Sequence, residues 1–99
     1  MNVGDLVMSL RDQLAQCEEH TRQQIGQAAA NRLGNWRQYQ TNDELVMFIQ
    51  RLIRNQNNLA NGWELDRHGY VSIESIVLAS PDFFTEQDAQ IARQTLGRS

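Results

Sequence analysis

The residues best suited to acid–base chemistry lie in the stretch GWELDRHGYVSIESIV, residues 62–77. His68 follows Asp66 by two positions there, and such a pair can orient an imidazole for proton transfer. However, the pair falls in a predicted turn beside Gly69, where solvent surrounds the ring and no desolvated pocket tunes its pKa. We therefore interpret His68 as a surface-turn residue and not as a catalytic base.

No other combination of residues has the spacing that catalysis or metal binding requires. His20 and His68 are far apart in the sequence, and the single Cys17 has no neighbours at metal-ligand spacing. Phosphate-binding loops, dinucleotide-binding glycine motifs and nucleophile elbows are absent from the sequence. We interpret Cys17 as a small hydrophobic residue on a helix face. The sequence predicts a protein that is not an enzyme and that uses no metal or cofactor.

The positive charge of the chain is carried entirely by arginine, with nine Arg and no Lys against a net charge of −3. This acidic balance disfavours strong non-specific nucleic-acid binding, which depends on cationic charge. A local anion site remains open at Arg51, Arg54, Asn55 and Arg67, because a guanidinium suits phosphate. The alternative is that Arg51 and Arg54 only complement the dipole at the end of a helix.

A second candidate surface is the connector NWRQY, in which Trp36 and Tyr39 flank Arg37. Aromatic residues and arginine are enriched at the energetic centres of protein interfaces, so these three residues are interface candidates. The same segment can equally fold back as a lid over the core. Trp63 and Tyr70, in contrast, fit core positions of a predicted hairpin.

The first predicted element is a long helix over residues 3–33, which precedes the candidate residues described above. Its apolar residues recur at alternating spacings of about four and three, and Gly26 is a possible break. Gly34 is expected to end this helix in a left-handed conformation. The stripe is longer than the core of so small a domain can cover, which predicts a homodimer through this helix. The candidate interface residues of the stripe are Val3, Val7, Leu10 and Leu14.

The remaining elements follow from capping signals and periodicity. Thr41 and Glu44 form a capping box before an apolar helix, and Ser72 and Thr85 are expected to cap two further helices. Between the first two of these helices, alternating residues around the turn at Gly69 predict a short β-hairpin. The predicted fold class is α+β and mainly helical. Residues 1–40 form a long N-terminal helix and connector, and residues 41–99 form a winged-helix-like helix–hairpin–helix–helix domain, in one compact unit overall.

The segment FIQRLIRNQNNLANGWELDRHGYVSIESIV, followed by FTEQDAQIARQ, resembles the N-terminal, winged-helix-like lobe of the tRNA 2′-phosphotransferases. The matching positions are Ile53, Arg54, Asn55, Leu65, Asp66, Gly69, Tyr70, Val71, Ile73, Ile76 and Val77. The resemblance implies that Arg54 engages an RNA 2′-phosphate, although Asn55 stands where the family has a histidine. The NAD-binding lobe of the family has no counterpart in these residues, so the resemblance implies phosphate recognition without catalysis.

From these observations we predict a non-enzymatic interaction or adaptor module that binds another macromolecule, in the first place a protein. The alternatives are a nucleic-acid-binding winged-helix regulator and an RNA 2′-phosphate-recognising lobe without catalysis. No apolar run approaches the ~18 residues that a membrane span needs. The first residues also lack the basic and apolar regions of a signal peptide. The sequence therefore predicts a cytoplasmic protein with no membrane partner.

Overall fold

The computed structural model describes residues 9–54 and 59–97, with the side chains of residues 59–61 excepted, and these residues contain helices and turns but no strand. A single 3₁₀ helix follows α2 within this part of the chain. In chain order the elements are α1 (Leu10–Gln24), α2 (Gln27–Leu33), the 3₁₀ helix (Gly34–Gln38), α3 (Asn42–Arg54), α4 (Leu59–Arg67), α5 (Ile73–Ala79) and α6 (Glu86–Thr95).

The predicted α+β fold with a winged-helix hairpin is wrong, because the first predicted strand, at residues 63–65, lies in helix α4 and the second, at residues 70–72, is an irregular segment before α5. Gly69 does adopt a positive φ, at 80°, as the hairpin turn required. It does so at the end of a helix: Tyr70 N donates to Leu65 O at 3.0 Å and Gly69 N donates to Asp66 O at 3.0 Å. These two bonds define a Schellman motif, which satisfies the last carbonyl groups of a helix. A glycine with positive φ therefore serves a helix end here and not a strand turn.

The predicted long first helix is divided into two helices at Gly26. Ser9 caps α1 by accepting a hydrogen bond from Asp12 N at 3.1 Å. Gly26 has a φ of 144°, a conformation that side chains disfavour, and the chain restarts as α2 immediately after it. Gly34 follows α2 as expected but is right-handed, with a φ of −59°, because the chain continues into the 3₁₀ helix and does not reverse direction.

The apolar face of α1 is covered by the core of this same chain. Leu10, Leu14 and Cys17 are at most 2% exposed and belong to one cluster with residues of α3, α5 and α6. Leu10 and Leu14 therefore line the intramolecular core and not an open stripe. Val3 and Val7, the other two residues of the predicted stripe, lie outside the described residues.

The three helices that were predicted from capping signals are confirmed. Thr41 and Glu44 exchange reciprocal hydrogen bonds of 3.3 and 3.2 Å before α3. Reciprocal capping boxes also begin α5 at Ser72 and α6 at Thr85. Each helix turns its apolar positions inward, so that one core joins α1 to α3, α5 and α6. The buried core residues are Leu10, Leu14, Cys17, Leu45, Phe48, Ile49, Ile53, Ile73, Ile76, Val77, Phe84 and Ala92.

Candidate functional site

An open groove of about 760 Å³ lies where the first turns of α1 and α3 meet α5 and the loop after it. Helix α1 contributes one wall, and α5 with its following loop contributes the other. The lining residues are Ser9, Leu10, Gln13, Gln16, Asn42, Val71, Ser75, Ala79, Ser80, Pro81, Asp82 and Phe83. We call this feature the α1/α5 groove.

The loop wall of the groove is fixed by two adjacent phenylalanines with opposite environments. Helix α5 ends where Ser80 N donates to Val77 O at 3.2 Å, and a tight turn follows in which Phe83 N donates to Ser80 O at 3.0 Å. Phe84 is buried in the core, whereas Phe83 is 45% exposed on the rim of the groove. The core contact of Phe84 therefore holds Phe83 in its outward position.

The opposite end of the α5 wall is fixed by His20 of α1. Val71 N donates to His20 Nδ1 at 2.9 Å, which places the proton of the neutral imidazole on Nε2. The ring of Tyr70 packs against His20 with centroids 4.9 Å apart. His20 thus joins α1 to the segment before α5.

The chemistry of the groove is apolar and amide-rich with an acidic edge. Asp82 is the only charged residue among those that line it. Asp12 and Asp43, both exposed, each directly adjoin a lining residue in the sequence. The guanidinium of Arg11, the nearest cation along α1, donates instead to the carbonyl of Tyr39. The arrangement suits hydrogen bonding and apolar contact with a neutral or cationic group.

The predicted interface residues Trp36 and Arg37 bind the buried carboxylate of Glu18. Trp36 Nε1 donates to Glu18 Oε1 at 2.9 Å, and Arg37 Nη1 lies 2.7 Å from the same oxygen. Arg22 Nη2 lies 3.0 Å from Oε2, as the four-residue spacing of Glu18 and Arg22 on a helix allows. Burial by itself raises the pKa of Glu18, but the hydrogen bonds from Arg37 and Trp36 outweigh it, so the pKa lies below its usual value.

The connector therefore lies folded back on the core, as the second of the two sequence interpretations had it. Trp36 and Tyr39 are half-buried against the core. The guanidinium of Arg37 stacks on the Trp36 ring at 4.8 Å, and Arg51 Nη2 donates to the Tyr39 hydroxyl at 2.9 Å. The intermolecular role assigned to Trp36, Arg37 and Tyr39 stays a prediction.

Arg54 of the predicted anion site is paired with a buried aspartate of α6. Its Nη2 donates to Asp88 Oδ1 at 2.9 Å, and Gln50 Nε2 donates to Oδ2 at 2.8 Å. Thr85 N donates to the same Oδ2 at 3.2 Å within the capping box. Burial alone raises the pKa of Asp88, but the hydrogen bonds from Gln50, Thr85 and Arg54 lower it below its usual value.

The other members of the predicted anion site engage different partners. Arg51 contacts Tyr39, as described above, whereas Arg67 stacks on Trp63 at 4.8 Å and lies 3.8 Å from Glu64. Trp63 is 45% exposed on α4 and is not the core residue that a hairpin required. Asn55 lies outside the described residues. The contacts of Arg51, Arg54 and Arg67 thus lead to three separate parts of the molecule.

A third buried carboxyl, Glu74 of α5, has a different environment from Glu18 and Asp88. It is 2% exposed, and no described cation forms an ion pair with it. A Cβ atom built on Gly62 of α4 would lie only 2.1 Å from Glu74 Oε1, so the carboxyl packs directly against the backbone of α4. Burial raises the pKa of Glu74 to about 7; the hydrogen bond from the backbone amide of Glu74 itself opposes this shift only in part, and the nearby charge of Asp66 adds to it.

The residues considered first for reactivity occupy unreactive settings. His68 is exposed after α4, with Nε2 3.1 Å from Glu64 Oε1. Cys17 is buried, and this burial raises the pKa of its thiol to about 12. Within residues 9–54 and 59–97, no three His, Cys, Asp or Glu side chains lie close enough together to hold a metal ion.

The sequence reading missed the buried carboxyls and the groove. Glu18 was not among the residues singled out from the sequence. It follows Leu14 by four positions and precedes Thr21 by three, and this spacing within the apolar stripe is a usable signal. Glu74 had only one signal, a glycine on a facing helix. Because residues 63–72 were predicted to form a hairpin, Gly62 could not be recognised as a helix residue that packs against Glu74.

No family model, no curated protein and no solved structure matches this chain. The resemblance of residues 48–77 to the tRNA 2′-phosphotransferases therefore stays a prediction, and the hairpin expected within it is not formed, since residues 63–72 contain the end of α4, a turn and an irregular segment. Among the helices of the described part of the chain, none is long and apolar enough to cross a membrane.

Proposed function

We propose that this domain is a non-catalytic interaction module that binds a segment of another protein in the α1/α5 groove. The single observation that carries the proposal is the groove itself, with a half-exposed phenylalanine held at its rim by a buried neighbour. Contiguous apolar surface within a groove often marks a binding site, whereas singly exposed apolar residues do not. Aromatic side chains that are held in place lose little entropy when a partner covers them.

The lining indicates what kind of segment the groove would accept. Leu10, Val71 and Phe83 offer apolar contact, while the exposed amide of Gln16 offers a donor and an acceptor that suit a peptide backbone. The acidic edge at Asp82 favours a positive charge on the partner. The proposed occupant is a peptide segment with a bulky apolar side chain next to a lysine or arginine.

Nucleic acid fits this groove poorly because the charge has the wrong sign. Phosphate contacts require cationic groups, and no lining residue is cationic. The guanidinium of Arg54 is engaged by Asp88, and neither residue lines the groove. A winged-helix mode of binding would need the predicted hairpin, but residues 63–65 belong to α4 and residues 70–72 form no strand.

The test is affinity capture from the source organism with the wild-type domain and with Phe83→Asp. We expect one protein to be retained by the wild type and lost with Phe83→Asp. Overlapping peptides of that protein, titrated against the domain, should contain one segment with the expected apolar and basic residues. Trp63→Asp is the matched control, because Trp63 has the same exposed fraction as Phe83 but lies outside the groove.

Two outcomes contradict the proposal. Equal retention by the wild type and Phe83→Asp would mean that the groove is not the binding surface. Alternatively, tight and steeply salt-dependent binding to duplex DNA or RNA at ~50 mM salt would identify a nucleic-acid-binding protein.

A further inference from the structure

We propose that Glu74 acts as a proton-operated latch between α4 and α5, which holds the two helices together when the carboxyl is protonated and loosens them when it ionises. The proposal concerns the packing of α4 on α5 and does not depend on what occupies the groove.

The contact is built so tightly that the charge state of the carboxyl matters. Glu74 is 2% exposed, and its Oε1 lies where the Cβ of any residue other than glycine at position 62 would be. Gly62 is itself buried. The contact therefore has little room for the water that an ionised carboxylate would recruit, and burying a charge without water or a counter-ion is costly.

None of the charged groups described around Glu74 would stabilise its ionised form. From α4, Asp66 acts on Glu74 as a like charge. From α1, the thiol of Cys17 interacts with Glu74, and because its pKa is raised to about 12 the thiol is neutral at physiological pH. Within the described residues, no arginine of α3 or α6 forms an ion pair with Glu74, although both helices pack against α5.

The direction of the pH effect follows from linkage. Burial raises the pKa of Glu74 from 4.5 to about 7, so the folded state binds this proton more tightly than the unfolded chain does. The stabilising contribution of the protonated form is therefore complete below pH ~4.5 and is lost as the pH rises to ~7. Across this window the unfolding equilibrium constant should rise by at most about tenfold for each pH unit.

The first measurement compares urea unfolding of the wild type and Glu74→Gln between pH 4.5 and 8. The glutamine keeps the shape of the carboxyl but has no proton to lose in this range. We expect the wild type to lose stability as the pH rises and Glu74→Gln to lose much less. Amide hydrogen exchange, corrected for its intrinsic pH dependence, should show the loss first in residues 62–67 of α4.

The second measurement observes the Glu74 carboxyl directly, and its main result needs the wild type alone and not Glu74→Gln. Carbon NMR of the side-chain carboxyl groups of the wild type should give Glu74 a midpoint near 7 that falls in Asp66→Asn, because the like charge is removed. A midpoint near 4.5 would overturn the proposal. Identical pH profiles for the wild type and Glu74→Gln would overturn it as well.

Discussion

Asp88 and Glu74 are two equally inaccessible carboxyls whose neighbours could hardly differ more. Asp88 is 0% exposed and accepts hydrogen bonds from Arg54, Gln50 and Thr85, which lower its pKa. Glu74 is 2% exposed and packs on the glycine backbone of α4 near a second acid, with a raised pKa. Burial alone therefore does not set the direction of the pKa shift of these two carboxyls. The hydrogen-bond donors and charges around each carboxyl determine that direction.

The difference makes the two sites respond oppositely to pH. The pKa of Asp88 is lowered on folding, so its contribution to stability is present above its unfolded pKa and is lost as the pH falls towards the folded value. Glu18, held by Arg37 and Trp36, behaves in the same way. The contribution of Glu74 is lost in the other direction, as the pH rises towards 7. Together these groups favour greatest stability in mildly acidic solution.

The largest effect on the free energy of unfolding is expected from Asp88→Ala, which removes the hydrogen-bonded carboxyl of the two. The substitution removes the capping acid of α6 and leaves the donor groups of Gln50 and Thr85 without their acceptor. We expect a loss of ~2–4 kcal/mol in the free energy of unfolding, measured by urea denaturation at pH 7. Glu86→Ala is the matched control, since Glu86 belongs to the same first turn but its ion pair with Arg93 is exposed. A change below ~0.5 kcal/mol is expected there.

If Asp88→Ala and Glu86→Ala had the same small effect, the buried network around Asp88 would contribute nothing measurable. Asp88 and Glu74 would then differ in their contacts but not in their measurable contribution to the free energy of unfolding.

Gly62→Ala tests how tightly Glu74, the second buried carboxyl, packs against α4. On an open helix surface this change stabilises by ~1 kcal/mol, but here the added methyl group would meet the buried carboxyl of Glu74. We expect a net loss of ~1–3 kcal/mol in thermal or urea unfolding, because the carboxyl must move within a packed region. Gly34→Ala gives a milder contact for comparison, since its Cβ would lie 3.0 Å from Arg37 Nη1, the end of a flexible side chain that contacts Glu18. A stabilised Gly62→Ala variant would show that the α4–α5 contact is loose.

Arg54→Ala gives the smallest expected effect and separates charge from hydrogen bonding at Asp88. Arg54 is more than half exposed, so we expect a loss of only ~0.5–1 kcal/mol at pH 7. The pKa of Asp88 should rise towards its usual value, which moves the midpoint of acid unfolding to higher pH. Arg51→Ala, which removes a contact to Tyr39 instead, should leave that midpoint unchanged. Equal acid midpoints for the two variants would contradict the assignment.

Local signals in the sequence predicted the helices that begin with a hydroxyl cap. Thr41, Ser72 and Thr85 all cap helices as expected, because a capping box depends only on residues three apart. Gly69 shows the limit of this reasoning. A turn at Gly69 was predicted, but a glycine with positive φ occurs equally in a hairpin turn and at a helix end. Only the packing of α4 against α1, α5 and α6 decides between them.

The candidate sites were harder to predict because they depend on contacts between distant segments. Glu18 meets Trp36 across 18 positions, and Asp88 meets Arg54 across 34. The groove joins residues near Ser9 to residues near Phe83, which no periodicity connects. The sequence did identify Trp36 and Arg54 as residues of interest, but their intramolecular partners come only from the fold.

The pair Phe83–Phe84 has a consequence for how quickly a partner could recognise this domain. Because one ring is anchored in the core and the other is tethered to it by a single peptide unit, the outward ring is positioned during folding. The loop that carries Phe83 would already be ordered before a partner arrives. Binding would therefore require no rearrangement of this loop and little further loss of conformational entropy. Association should then be governed by diffusion and by the attraction of its acidic edge for basic residues.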